Sequence, residues 1–414
     1  MTEWLVVRRS RPLRGIRQAQ PELIGRSPVA KGLSESAPRV DVEHAGSRDD
    51  LGVRSEIDIA TESMPMSLVE PVPVSTLAAE AALREAESDG MAWGVRRSGA
   101  DPKSFDGAGV RVAIIDTGIK RLHPAFAHLP THAIEEGDFT TVAGGVFGPG
   151  VADDASGHGT HCAGTICGGS VDGIRIGLAP NIAKLFVAKA IGGNRGSAAL
   201  LDALNWAVTM KVDVVSMSLG FDFVAYRESL IAAKVHPTAA TSMALIAFRD
   251  NIRVFDAWMQ QLRARRRQGF DPVIVAASGN ESNRPAFVVQ KASPSEAEDV
   301  IAVGAVDRTS NVAPFSNVNP AFVGPGVEIL SAGIKQNLTV LSGTSMACPH
   351  IAGLAALYWH AARSGGGLPA TAERVEGMMA RSAEDHYYEF AANKPADVGG
   401  GMPRAPGVKP TAKT

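Results

Sequence analysis

Three short stretches of this chain each place a reactive side chain beside glycine. Residues 111–118 read RVAIIDTG, an apolar run that carries Asp116 to its end and turns at Gly118. In open α/β sheets that carboxyl end of a strand is where ligands bind, although strand-Asp-Thr-Gly also serves as an ordinary turn. Residues 157–165 read GHGTHCAGT, where small neighbours let the backbone pack closely and leave His158 facing a cleft. A core histidine or a metal ligand fits these residues too, but His158 and His161 lack a cysteine or carboxylate companion at zinc-like spacing. Residues 341–350 read LSGTSMACPH and run into the apolar stretch 351–358. Proline is tolerated in the first turn of a helix, so Pro349 predicts a helix starting close to Ser345. A serine at that place is either an N-cap or a nucleophile whose oxyanion is met by backbone N–H groups and the helix dipole.

The companions decide between these readings. A hydroxyl to attack, an imidazole to take its proton and a carboxylate to hold the imidazolium make a nucleophilic triad. Asp116, His158 and Ser345 supply the three in one of the chain orders known for such triads. An esterase would carry its serine in G-x-S-x-G, where this chain has G-T-S-M-A. A silent protein that only holds peptides in the cleft is the rival reading, and the intact set of reactive groups argues against it.

Elements that could position these groups follow from the apolar pattern. Runs at 110–115, 183–188, 212–217, 273–277 and 300–306 are nearly continuous in Val, Ile and Ala, the texture of strands buried on both faces. Helical segments alternate with them from about residue 93, which implies an α/β domain with a mainly parallel sheet. Residues 221–270 interrupt the alternation with a long helical stretch that includes Arg263, Arg265, Arg266 and Arg267. A partner patch and a solvated helix face both fit these arginines, and the face is the simpler reading.

The three motif blocks D-T-G, H-G-T-H-x-A-G-T and G-T-S-M-A-x-P-H, in this order, resemble those of the subtilisin-like serine proteases, the subtilases. The resemblance covers roughly residues 93–406. It implies a subtilisin-like three-layer α/β fold with a mainly parallel central sheet, and a serine endopeptidase acting through an acyl-enzyme. By the same resemblance Asn280, in the stretch AASGN, completes the oxyanion hole with the Ser345 N–H. Ser218, Leu219 and Gly220 form one substrate-binding edge, and Gly196 lies on the opposing edge, so that an extended peptide adds between them as a strand. Residues 314–316, 323–327 and 397–401 continue the family pattern. Cys162 is similar to the free thiol beneath the catalytic histidine in the proteinase K-like branch, and a mercurial there would displace His158. Residues 167–175 (CGGSVDGIR) occupy the loop that wraps calcium in many relatives. They offer one carboxylate, Asp172, so no metal or other cofactor is expected.

Composition bounds the rest. The chain has 414 residues, a net charge of −2, 45% hydrophobic and 20% charged residues, which suits a large core and argues against a general nucleic-acid binder. No apolar run approaches the roughly 18–20 residues of a membrane span. Three cysteines are too few for a disulfide framework. Arg8 and Arg9 are not followed by the apolar region of an export signal, so a cytoplasmic location is expected. Residues 1–92 lie where relatives carry a pro-region, and could act as an intramolecular inhibitor of a zymogen. Within them 1–37 read as loosely ordered, 38–42 and 53–60 as strands, and 75–88 as a helix capped by Ser75 and ended by Gly90. Residues 407–414 read as a fraying tail.

Overall fold

The computed structural model describes residues 2–8, 38–45, 47–51, 57–266, 272–366 and 368–410. Residues 9–37 of the stretch expected to be loosely ordered, 53–56 of the expected strand 53–60, Arg267 of the basic run and the last four residues of the tail lie outside them.

In chain order the strands are β1 (Thr2–Arg8), β2 (Arg39–Ala45), β3 (Ile57–Glu62), β4 (Met66–Leu68), β5 (Arg111–Asp116), β6 (Ile134–Asp138), β7 (Val146–Phe147), β8 (Ser170–Val171), β9 (Ile174–Arg175), β10 (Lys184–Lys189), β11 (Val214–Met217), β12 (Leu219–Phe221), β13 (Val273–Ala277), β14 (Val300–Val306), β15 (Phe322–Pro325), β16 (Ile329–Ala332) and β17 (Leu338–Leu341). The α-helices are α1 (Thr76–Asp89), α2 (Trp93–Ser98), α3 (His158–Cys167), α4 (Ser197–Thr209), α5 (Phe223–Ala232), α6 (Pro237–Arg266), α7 (Thr344–Ser364), α8 (Ala372–Asp385) and α9 (Pro395–Val398).

The central sheet runs β15-β14-β13-β11-β5-β10-β6-β7, parallel throughout except for the short β6–β7 pair. Period-two alternation splits the central strands between two cores, as in β5. Val112 and Ile114 of β5 pack with Ile166 of α3, Ile351 and Leu354 of α7 and Val375 of α8. Ala113 and Ile115 face the other way, onto Leu200 and Leu204 of α4 and Trp258 of α6. Both faces are therefore apolar, the condition for continuous Val/Ile/Ala strands. This is the three-layer α/β fold that the sequence predicts.

The N-terminal region departs from expectation at its start. Residues 2–8 form a strand, and β1 is the middle of an antiparallel sheet ordered β2-β1-β3. Leu5 and Val7 join Val40 and Ile59 against the outer side of α4 and α6, while Val6 packs on Ala45 and Ala60. Alternate burial on two sides outweighs the arginines that flank this run. The helix reading of 75–88 holds closely: the Ser75 side chain caps α1 by accepting from Ala78 N–H, and Gly90 ends it at φ 66°. Over its described residues, 221–266, the insertion is largely helical, as α5 and α6. Arg263 pairs with Glu298 and Asp299, which ties this face of α6 to its own chain. Among the described residues no helix is long and apolar enough to cross a membrane.

Candidate functional site

Strand β5 ends at Asp116, which is buried at the carboxyl edge of the sheet. Its Oδ1 accepts from the Thr117 N–H at 2.7 Å and lies 2.8 Å from His158 Nδ1. A carboxylate only accepts, so Nδ1 carries the proton and Nε2 is the acceptor of the neutral ring. His158 opens α3, whose ten residues are all buried. Gly157 enters the helix at φ 89°, and a Cβ on Gly159 would sit 2.2 Å from the Gly118 carbonyl. The glycines around His158 are thus what bring α3 against the turn after Asp116. Burial works against an imidazolium here, but the Asp116 carboxylate outweighs it and holds His158 well above the ordinary histidine value. His161 points elsewhere: its Nε2 donates to the Ile329 carbonyl at 3.0 Å, and burial pushes it down to about 3. The two histidines do not converge on a common ligand position.

Asp154 escaped the sequence reading. It is fully buried and accepts from Thr117 and Thr160 hydroxyls and from the N–H groups of Ser156, Gly157 and Thr160. Burial would raise its carboxyl, yet these donors keep it below the usual range. It holds the loop that delivers His158. The only hint in the sequence is an aspartate before a Ser-Gly turn, a pattern shared by many loops.

Ser345 stands in the first turn of α7, where amides have no acceptor within the helix. Pro349 is not in that first turn, as expected above, but five residues inside the helix. The missing N–H frees the carbonyl of Ser345, four residues back, and other donors take it over. The Ser218 hydroxyl reaches it at 3.3 Å and the Cys162 thiol at 3.4 Å. A proline is accommodated here because its lost partner is replaced from two neighbouring elements.

Asn280 follows β13 and is fixed by Thr344, whose N–H and hydroxyl donate to its Oδ1 at 2.8 and 2.9 Å. An N–H can only donate, so the amide orientation is determined and Nδ2 points outward. There it donates to the Glu70 carbonyl at 2.8 Å. The Ser345 hydroxyl donates to the Val69 carbonyl at 2.6 Å. Nε2 of His158 has no hydrogen-bond partner among the described residues.

Residues 64–72 are the chain that lies between the two expected edges. On one side β4 pairs antiparallel with β12, Leu68 opposite Leu219 and Ser67 opposite Gly220, and Val69 N–H donates to the Ser218 carbonyl at 3.2 Å. On the other, the Ser197 N–H donates to the Met64 carbonyl at 2.8 Å, next to Gly196, whose missing Cβ leaves room for that carbonyl. Beyond Ser345, the Val72 N–H donates to the Ser342 carbonyl at 2.7 Å. Ser218, Leu219, Gly220 and Gly196 are therefore brought together around one extended segment.

Comparison with known proteins bears on this arrangement. A model of the subtilase family matches residues 107–401. Over 262 residues the chain is 32% identical to the major intracellular serine protease of Bacillus subtilis (strain 168), an alignment spanning 62% of this chain and 70% of that protein. It is 33% identical over 305 residues to a cuticle-degrading serine protease of Arthrobotrys oligospora, spanning 69% of this chain and 62% of the relative. With subtilisin DY of Bacillus licheniformis it shares 32% identity over 262 residues, 62% of this chain and 78% of that protein. The matched span runs from before Asp116 to beyond Ser345, and the chain belongs to the subtilase family.

Proposed function

We propose that peptide-bond hydrolysis by this serine-type endopeptidase is carried by Asp116, His158 and Ser345, with Asn280 and the Ser345 N–H as oxyanion donors. The Ser345 Oγ attacks a peptide carbonyl carbon while His158 Nε2 takes its proton. Asp116 holds the Nδ1–H and stabilises the imidazolium that forms. The tetrahedral oxyanion is met by Asn280 Nδ2 and the helix amide, and its collapse breaks the C–N bond as His158 returns the proton to the leaving amine. Water, deprotonated by His158, then releases the acyl group from Ser345. The substrate chain adds as a strand between Gly196 and Ser218–Gly220. The observation that carries this reading is that Ser345 and Asn280 already hydrogen-bond to successive carbonyls of an extended segment, beside a buried Asp116–His158 pair.

Residues 66–72 act in this reading as an intramolecular inhibitor. Attack requires that the carbonyl held by Asn280 also be the one facing Ser345. Here Asn280 holds the Glu70 oxygen while Ser345 donates to the Val69 oxygen, so neither carbonyl receives both. The segment fills the cleft without offering a bond to cut.

No metal is needed. The loop 168–175 does not fit calcium, which takes about six to eight oxygens. Its single carboxylate, Asp172, accepts from Asn337, and the loop's Arg175 donates to the carbonyls of Ala100, Gly177 and Leu178 outside it. A cytoplasmic location is supported by the relative named as intracellular.

Intact mass before and after a fluorophosphonate probe tests the chemistry. We expect one adduct on the wild type and none on Ser345→Ala. A folded wild type that takes no label under prolonged exposure would remove the assignment.

A further inference from the structure

The helical insertion takes no part in the chemistry above, yet its most deeply placed polar side chain reaches the N-terminal segment. Asn251 lies in α6 and is 1% exposed. Its Nδ2 donates to the carbonyls of Ala247 at 2.9 Å and Glu62 at 3.1 Å. Its Oδ1 accepts from the Ser197 hydroxyl at 2.6 Å, and that hydroxyl in turn accepts the Met64 N–H at 2.9 Å. Carbonyls on the Nδ2 side accept only, so the orientation of the amide is forced. From α5 the Tyr226 hydroxyl donates to the Glu62 carboxylate at 3.2 Å. Three separate parts of the chain thus meet at one buried amide: the insertion, the Gly196–Ser197 edge and the stretch 62–64.

A buried asparagine in mid-helix is unfavourable unless its groups are bonded, and an apolar residue would serve packing against α4 better. What the amide does here is fix backbone atoms of Glu62 and Met64, just ahead of β4. Strand register is strict, and a slip of one residue would turn Leu68 to the opposite face and hand Ser345 and Asn280 different carbonyls. We propose that Asn251, acting through Ser197, is a positioning residue that holds residues 62–64 and thereby sets the non-productive register of Val69 and Glu70 over Ser345. This inference rests on the reading of residues 66–72 as an inhibitor.

The test uses the full chain and the rate at which a fluorophosphonate labels Ser345. Asn251→Ala is expected to label on the order of tenfold faster than wild type, the factor expected from losing one to two net hydrogen bonds. Ser197→Ala, which removes the bridging hydroxyl and leaves α6 intact, is expected to act in the same direction. Leu68→Asp displaces β4 without touching Asn251, and adding Asn251→Ala to it should bring no further gain. Fast labelling by Leu68→Asp with wild-type or slower labelling by Asn251→Ala and Ser197→Ala overturns this inference and leaves the inhibitor reading standing. A double variant faster than Leu68→Asp alone also overturns it, since Asn251 would then act on the catalytic domain itself. No acceleration by Leu68→Asp overturns the inhibitor reading and this inference together.

Discussion

The two halves of the site are wired differently. The Asp116–His158 half is closed on itself: Thr117, Thr160 and the buried Asp154 hold carboxylate and helix together through hydrogen bonds among residues 116–160. The Ser345–Asn280 half is closed by chain from far upstream, with Val69 and Glu70 taking its outward-facing donors. The difference follows from direction, since Ser345 is as buried as His158. Asp116 Oδ1 and the Nδ1 side of the imidazole face into the domain and take their partners there. Donors meant for a reacting carbonyl must face the cleft, and whatever segment lies there can take them.

Substitutions in each half should therefore differ in kind. In the proposed mechanism Ser345→Ala removes the bond-forming atom, and kcat on a chromogenic peptide is expected to fall about 10⁶-fold. Residual turnover close to wild type would place the nucleophile elsewhere. Asp116→Asn keeps the shape of the closed half and removes its charge, with an expected loss of about 10⁴-fold in kcat. It also has a signature in pH. His158 must be neutral to take a proton, and Asp116 raises its pKa above the ordinary 6.5. Activity of the wild type is thus lost as pH falls through that raised value, so the acid limb of kcat/KM should lie above 6.5. In Asp116→Asn the limb should move to lower pH. An unmoved limb would mean that another group sets the protonation of His158.

Apart from Asp154, the closed half was legible in the sequence because the signals for its parts are local. The apolar run before Asp116 and the glycines around His158 announce a strand end and a tightly packed helix start, and the central strands were visible for the same reason. Only the pattern of alternate burial makes a strand of residues 2–8, and that depends on partners at 39–45 and 57–62 that no local window contains. The position of Asn280 could be read only through the family resemblance, since Asn after Ser-Gly is ordinarily a turn residue. The lodging of Val69 and Glu70 in the cleft was beyond reach. It is decided by pairing between β4 and β12, about 150 residues apart, and by the docking of a separate small sheet on α4 and α6.

The open half is where smaller effects can still discriminate. Asn280→Ala is expected to lower kcat by about 10²–10³ with little change in KM, because the Nδ2 donor matters most when charge develops on the oxygen. A rise in KM alone would make Asn280 a binding group instead. Thr344→Val probes one step further back. It keeps the backbone N–H that donates to Asn280 Oδ1 and removes the hydroxyl that does so at 2.9 Å. One of two orienting bonds is lost, so the amide stays near its place but is less firmly aimed. The expected cost is roughly three- to tenfold in kcat, the scale of one net hydrogen bond. The Thr344 hydroxyl also accepts the Gly279 N–H at 3.1 Å, so only the part of its effect that runs through the Asn280 amide should vanish in the Asn280→Ala background. Additive losses in the double variant would show that the Thr344 hydroxyl acts independently of the Asn280 amide, through the first turn of α7, and that the two groups of the open half are positioned one by one rather than together.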